Sequence, residues 1–435
     1  MIISDLNEIT IISSIKDYIE EAHYNERDDR IKIMNYYEGI NLEEDAMNYF
    51  DAEALRYAPP LASNITKKII DARFITYKSA PQRKADPRYL ELIRNCDFEM
   101  IEVDRMTGLL GTIGFLRFYN EEEQMLRGHI LTDFEPIYLP NNPEPVAVIY
   151  PLFNHGNAKV YEQEYVFWSD EKHFKIKKSG EIIHVNDEDV NPYGVIPILW
   201  SHLYPMIGNE WFRTGKGKMV ANANLLYNVF GTQLSLGNMY QSLGQSVLTG
   251  VDETTRVKVD VSKLLVLPEG ANYNIVSPSG SLSEIRENMK WVVETTADAL
   301  HLKINWASDT HSSSGEHQRI LEMELTEAIM SDFERFRKFE NQRFQLDKKI
   351  LETFNINVSD EYSINFSEPH IPISPAQERE EWMWKWDNGL ATKKDWFRHY
   401  NPDFTEDQID KVMNGIQEEQ PEESANNIIQ RIVNG

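Results

Sequence analysis

Apolar positions recur at three- and four-residue steps over both ends of the chain and at two-residue steps over its middle. Ile11, Ile15, Tyr18 and Ile19 open a helical pattern covering residues 5–40, carried on by Ile31-Lys32-Ile33-Met34-Asn35-Tyr36-Tyr37-Glu38-Gly39. A second helix is predicted from Asn64 to Tyr77, with Ile65, Ile69, Ala72 and Phe74 as its apolar side. Pro81 ends it. Asp86-Pro87 starts another helix, with proline in its first turn, that runs past Met100 and Met106 to Leu110.

After Gly111 the pattern changes. Residues 114–200 favour strands at Phe115–Tyr119, Pro145–Tyr150 and Val160–Trp168, with a hairpin at Lys172–Lys178 and Glu181–Val185 and a short buried strand ending at Leu199. Gly156, Gly180, Asn186-Asp187 and Asn191-Pro192-Tyr193-Gly194 mark turns. Short strands return over 251–280, where Val257, Val259 and Val261 alternate with Lys258 and Asp260. Ser281-Leu282-Ser283-Glu284 has the form of a helix cap, and the helix it opens runs through Trp291 to Leu302. A polar serine-rich loop, 303–315, separates it from a long charged helix over Glu316–Phe354. Strand and loop follow over 357–373. Short helices are predicted at 376–388, 392–400 and 405–417, with a solvated acidic linker at 418–425. The fold class is α+β, mainly helical.

Charge distribution changes this picture at one place. From Met219 to Val251 there is no Asp, Glu, Lys or Arg, where the chain's 26% charged content would place roughly eight. Asn222, Asn224, Asn228, Gln233, Asn238 and Gln241 argue against a bilayer span, because each amide is costly in lipid. A helix enclosed between neighbouring helices or subunits fits instead. Its amides are expected to satisfy one another, and Gly231, Gly237 and Gly244 to allow close approach. The longest apolar run, Val146–Tyr150, is too short for a membrane span. Met1-Ile2-Ile3-Ser4-Asp5 has neither basic stretch nor cleavage pattern, so no secretory signal is expected.

The 435 residues carry 44 basic and 70 acidic side chains, a formal net charge of -26. Such a chain is unsuited to wrapping nucleic acid tightly, which needs a positive surface. It remains compatible with DNA sliding past. The single cysteine, Cys96, excludes a disulfide framework and is expected as a packing thiol. Arg213-Thr214-Gly215-Lys216-Gly217-Lys218 lacks the spacing and the Ser or Thr of a phosphate loop. His311, Glu316 and His317 bracket a flexible loop without the rigid frame a metal needs. No nucleophile motif and no isolated acid/base pair stands out. No enzymatic activity, metal or cofactor is expected.

The order of elements, together with four local motifs, resembles the portal (head-to-tail connector) family of tailed bacteriophages and herpesviruses. The motifs are Asn35-Tyr36-Tyr37-Glu38-Gly39, Asn191-Pro192-Tyr193-Gly194-Val195-Ile196-Pro197, Ser312-Ser313-Ser314-Gly315 running into Gln318-Arg319-Ile320-Leu321-Glu322, and Gly389-Leu390-Ala391-Thr392-Lys393. The uncharged stretch 219–251 departs from the family, whose stem helices often carry charge. The resemblance implies a wing over 1–208 and 316–373, the latter a long wing helix and closing strand. It implies a two-helix stem at 209–245 and 281–302, a small β-rich clip at 246–280, a tunnel loop at 303–315, and a helical crown with acidic tail over 374–435.

It further implies a ring-shaped homo-oligomer, expected as a dodecamer, at the unique vertex of the virion capsid, assembled in the host cytoplasm. Double-stranded DNA would pass through its channel. The terminase large subunit, major capsid and scaffold proteins, and adaptor or tail proteins would be partners, with no membrane. Lys303, Asn305, Trp306, Ser308, Asp309 and His311 would form the tunnel loop facing DNA. Arg286 and Lys290 would be stem channel cations, with pairing to Glu284, Glu287 and Glu294 as the alternative. Arg256, Lys258, Lys263 and Glu269 would lie on the clip. Two rivals are another phage structural adaptor and a metal-dependent DNA hydrolase using Glu322, Glu324 and Glu327, although 322 and 324 do not share a helix face.

Overall fold

The computed structural model describes residues 10–13, 16–17, 24–56, 58–140, 142, 144–152, 164–177, 179–186, 188–207, 212, 215–243, 245–250, 270, 272–276, 282–304, 315–366, 375–400, 409–410 and 412. The chain divides into two units, Met1–Asn305 with Glu324–Glu368, and Trp306–Met323 with Pro369–Gly435. The first contains helices α1 (Tyr24–Glu38), α2 (Leu42–Met47), α3 (Ala52–Leu55), α4 (Ile65–Arg73), α5 (Pro87–Leu92), α6 (Cys96–Leu110), α7 (Gly217–Leu243) and α8 (Leu282–Asp298), and α9 (Gly315–Thr353) from Glu324 onward. The second contains α10 (Pro375–Asp387) and α11 (Lys393–Tyr400).

Among the described residues all the sheets are antiparallel and lie in the first unit. Strands β1 (Gln82–Ala85), β2 (Thr112–Asn120), β3 (Met125–Leu131), β4 (Glu135–Ile137), β5 (Ala147–Pro151), β6 (Glu164–Ser169), β7 (His173–Lys177), β8 (Ile182–Ile183), β9 (Ile198–His202), β10 (Gln245–Thr249), β11 (Asn272–Val276) and β12 (Tyr362–Asn365) form four sheets. Their orders are β4-β5-β6-β7-β8, β3-β2-β9, β1-β12 and β10-β11. The five-stranded sheet is covered on both faces. Ala147, Ile149, Phe167 and Ile176 face one cluster, and Val148, Tyr150, Val166 and Trp168 face another. That double burial is why Val146–Tyr150 is continuously apolar rather than alternating.

Several predicted boundaries move. The helix expected over Asn64–Tyr77 ends at Arg73, because the Thr76 amide leaves the helix to donate to the buried Asp104 carboxylate, 2.9 Å away. The helix expected over 86–110 is broken between α5 and α6. The uncharged stretch is helical only to Leu243, and Gln245–Thr249 pairs with β11. The helix opened by Leu282 ends at Asp298 rather than Leu302, and His301 is left-handed at φ 60°. Strands β1, β3 and β4 were not predicted. In β3, Gly128 leaves room for the Phe115 ring, which a Cβ would meet at 2.0 Å. The strands expected at 257–267 and most of the helix expected at 405–417 lie outside the described residues.

The motif residues have structural jobs. Tyr36 and Tyr37 are buried and donate to Asp45 and Asp71 at 2.6 and 2.8 Å. Asn191 donates to the carbonyls of Ser169 and Val195 and accepts from the Tyr193 amide, fixing the turn into β9. Gly389, at φ 70°, ends α10, and Thr392 and Asp395 cap α11 reciprocally. Cys96 is buried among Tyr89, Leu92 and Phe344, and burial pushes its thiol up.

Within the first unit, α9 is held by three buried carboxylates, seven or eight residues apart and therefore on one side of the helix. Asp332 accepts from Arg73 at 2.9 Å. Glu340 accepts from Arg83, Tyr77 and Tyr362 at 2.9, 3.0 and 2.8 Å and pairs with Arg343 at 2.6 Å. Asp347 takes a two-pronged bond from Arg117, at 2.8 and 2.9 Å, and a third from Tyr89. Burial would raise the Glu340 carboxyl, but Arg343 and Arg83 outweigh it and hold it low.

A second polar array fixes α7. Asn224, Asn228 and Thr232 are buried at four-residue spacing, and they bond the main chain of residues 61–66. Asn224 accepts from the Ile65 and Thr66 amides at 2.7 and 2.9 Å. Asn228 accepts from Ser63 N at 3.0 Å, and Thr232 from Leu61 N at 2.9 Å. Both asparagines donate to the Ser63 carbonyl. The expectation that these amides satisfy one another is thus corrected. An irregular segment with unpaired backbone groups is their partner.

Three outcomes follow from these arrays. Asp347→Leu should destabilise the first unit by about 3–5 kcal/mol, because it takes the two-pronged partner from the buried Arg117 and leaves it only Glu99 at 3.2 Å, and Arg117→Met/Asp347→Leu should recover much of that loss in chemical denaturation. Asn228→Leu should cost about 1–3 kcal/mol, read the same way, by leaving the Ser63 N–H unpaired, while Asn224 keeps the Ser63 carbonyl. Asp104, buried and pushed up to about 6 by desolvation against the pull of Arg335, binds its proton more tightly folded than unfolded. Its contribution to stability therefore falls as pH rises from about 4 to 6. Asp104→Asn should gain on the parent protein by up to about 3 kcal/mol across that interval, measured by urea unfolding at each pH.

Candidate subunit interface and channel elements

Helices α7 and α8 pack antiparallel. A Cβ on Gly231 would lie 2.2 Å from Leu61 and 3.2 Å from Met289, and one on Gly237 would lie 2.6 Å from Leu282. The glycines admit these neighbouring side chains, as expected of them. With Asn224, Asn228 and Thr232 turned to the main chain, the rotation of α7 about its axis is fixed. The opposite stripe then consists of Met219, Asn222, Leu226, Phe230 and Gln233, at three- and four-residue steps.

This stripe has no charge and is open to solvent in the single chain. Met219 is 38% exposed and Leu226 46%, Asn222 and Gln233 are exposed, and Phe230 is half-buried. On α8, Trp291 is 63% exposed. Depletion of charge with enrichment in Met, Trp and Phe is the composition of an interface core rather than of a solvated face. Sequence reasoning isolated the uncharged stretch but missed which residues face outward. Helical periodicity within 219–233 carries that information once the buried side is known.

The candidate channel cations fare differently from one another. Arg286 is exposed on α8 and makes no ion pair among the described residues. Lys290 is half-buried and is engaged by a neighbour. Glu284, Glu287 and Glu294 are exposed on the same helix. Lys303 is exposed and pairs with Asp298, whose hydrogen bond raises the lysine. Asn305, Trp306, Ser308, Asp309 and His311 lie outside the described residues, as do Arg256, Lys258, Lys263 and Glu269.

Of the carboxylates weighed for hydrolysis, Glu324 and Glu327 are exposed on α9, and Glu324 sits 4.0 Å from His301. The side chains of Glu316, His317 and Glu322 are not among those described. Among the described residues no group of three or more His, Cys, Asp or Glu is placed to hold a metal ion. None of their helices is long and apolar enough to cross a membrane. In the second unit, Trp382, Trp386, Trp396 and Tyr400 join α10 to α11 through ring contacts, leaving Met383, Trp384 and Leu390 exposed.

No family profile matches the chain, and no curated protein matches it. Among solved structures it is similar to a chain in the neck of an empty gene transfer agent particle computed with C6 symmetry, at TM-score 0.43 and 11% identity, covering 80% of this chain and 92% of that one. A chain in the virion of a native gene transfer agent particle gives 0.43 and 10%, covering 81% and 96%. One in the neck of a native particle computed with C12 symmetry gives 0.42 and 11%, covering 79% and 91%. Identities and scores at this level establish neither family nor function.

Proposed function

We propose that this chain is one subunit of a portal ring, a closed channel for DNA at the capsid vertex of a tailed-phage-type virion. The observation that carries the proposal is the outward stripe of α7, uncharged and partly apolar in a chain of net charge -26. An exposed face of that composition is costly beside water and fits a neighbouring copy. Head-to-tail contact of that face with a different face of the next copy closes a ring.

In this assembly α7 and α8 are the stem. The segment between them is the clip that would meet terminase and later adaptor proteins, and the segment before α9 is the tunnel loop. The remainder of the first unit supplies the wing against capsid and scaffold proteins, and residues 374–435 of the second unit, with α10 and α11, the crown. The work is geometric and electrostatic, without bond chemistry. Acidic channel walls repel DNA phosphates over only about 8–10 Å at physiological salt, so the duplex meets no adhesive surface. Arg286, exposed and without an acidic partner among the described residues, is the stem cation best placed to steady it.

The full chain at micromolar concentration should form rings with a central hole in negative-stain images. Leu226→Glu and Trp291→Glu should each leave the circular dichroism unchanged but shift the particles to monomer in light scattering, because an unpaired carboxylate would be sealed in the seam. Protein that stays monomeric at every concentration, or variants that assemble like the parent, would overturn the proposal.

A further inference from the structure

Away from the outward stripe, the first unit contains a recess of ≈ 330 Å³ where the end of α4, the segment after β9, the start of α7, the turn after α8 and the middle of α9 converge. Its lining is cationic for so acidic a chain, with Arg73, Lys216 and Arg335, and the His301 ring beside them, against one carboxylate, Asp332. Asp332 is already engaged, by Arg73 at 2.9 Å and Arg335 at 3.2 Å. Behind the wall, Arg335 also reaches Asp104 at 3.3 Å. On the rim, Glu324 lies 4.0 Å from His301.

Two cationic groups remain underused. Lys216 has no carboxylate partner among the described residues, and its ammonium lies 5.7 Å from the centre of the Tyr204 ring. The Nε and Nη1 atoms of Arg335 are buried with no hydrogen-bond acceptor. Those two atoms are closed off from solvent and add charge behind the wall, so the ammonium of Lys216 is the group free to meet an acceptor that enters the recess. A volume of this size is at the small end of ligand sites. It suits a phosphate with a small attached group and is far too small for a base-paired duplex. Tyr204 and Phe74 add aromatic surface beside the cations.

We infer that the recess lined by Arg73, Tyr204, Lys216, His301, Ser331 and Arg335 binds a phosphate group. The source is either free phosphate, alone or on a small molecule, or a phosphate presented by the nucleic acid backbone at the mouth. The site belongs to the single chain and does not require a ring, so it can fail while the portal proposal stands, and the reverse.

Calorimetric titration of the full chain with inorganic phosphate, at constant ionic strength in chloride, tests it. Saturable binding at one site per chain is expected. Lys216→Gln should weaken it about tenfold, the value of one charge-assisted hydrogen bond. Ser331→Glu, which places a carboxylate on the opposite wall, should abolish it, with circular dichroism unchanged in both. Lys218→Gln, two residues away and paired with Asp29 outside the recess, should bind like the parent. A short DNA duplex that displaces phosphate identifies the backbone as a source, and one that does not leaves free phosphate as the ligand. No saturable heat with phosphate on the order of 10 mM, where even a weak site fills, would overturn the inference. So would equal binding by the parent, Lys216→Gln and Ser331→Glu.

Discussion

Satisfaction of buried polar groups is the constraint on which this structure turns. A carboxylate or amide withdrawn from water must find partners or it costs more than the packing around it returns. The chain meets that demand with two arrays. Asp332, Glu340 and Asp347 draw arginines from α4, β1 and β2 onto a single helix, so elements hundreds of residues apart in sequence dock in one register. Asn224, Asn228 and Thr232 do the same for the irregular stretch 61–66, whose amides and carbonyl have no strand partner. Neither array need add net stability over an apolar equivalent, but each penalises any other register.

The second array has a consequence for function. By fixing the rotation of α7, it decides that the uncharged remainder of that helix faces out. A helix of Ala, Leu, Asn and Gln could in principle bury any side. Here the amides that bond main chain define the inside, and Met219, Leu226 and Phe230 are left to the outside. Within one chain that surface is incomplete. In the proposed ring the strong acidity of the whole would serve the same end, by giving a DNA channel walls that phosphates do not stick to.

Much of the element order was legible in the sequence because it rests on local periodicity. The long helix at 315–353, the hairpin at 173–183 and the glycine stop at 389 follow from residue spacing alone. What sequence did not reveal depends on distant partners. Strand β1 is Gln-Arg-Lys-Ala, with no strand pattern of its own, and exists because Tyr362–Asn365 lies beside it. The α4 helix stops early because Asp104 captures an amide across the core. The sequence marks α9 only as a long charged helix, and three of its carboxylates are buried because arginines from other elements reach them. The phosphate recess was equally hidden, as its lining comes from five separate segments. The motif around Tyr36 is the buried end of α1 and the one around Asn191 a turn that fixes the entry to β9, so their presence reports architecture more directly than chemistry.

The account's central claim is that the outward stripe of α7 is a seam between copies. Hydroxyl-radical footprinting of the assembled protein against the same protein dissociated at dilution measures this at single residues. The account predicts strong loss of labelling at Met219, Leu226 and Trp291 on assembly, with Trp384 and Leu390 labelled alike in both states. Equal labelling of Met219, Leu226 and Trp291 in the two states would contradict it.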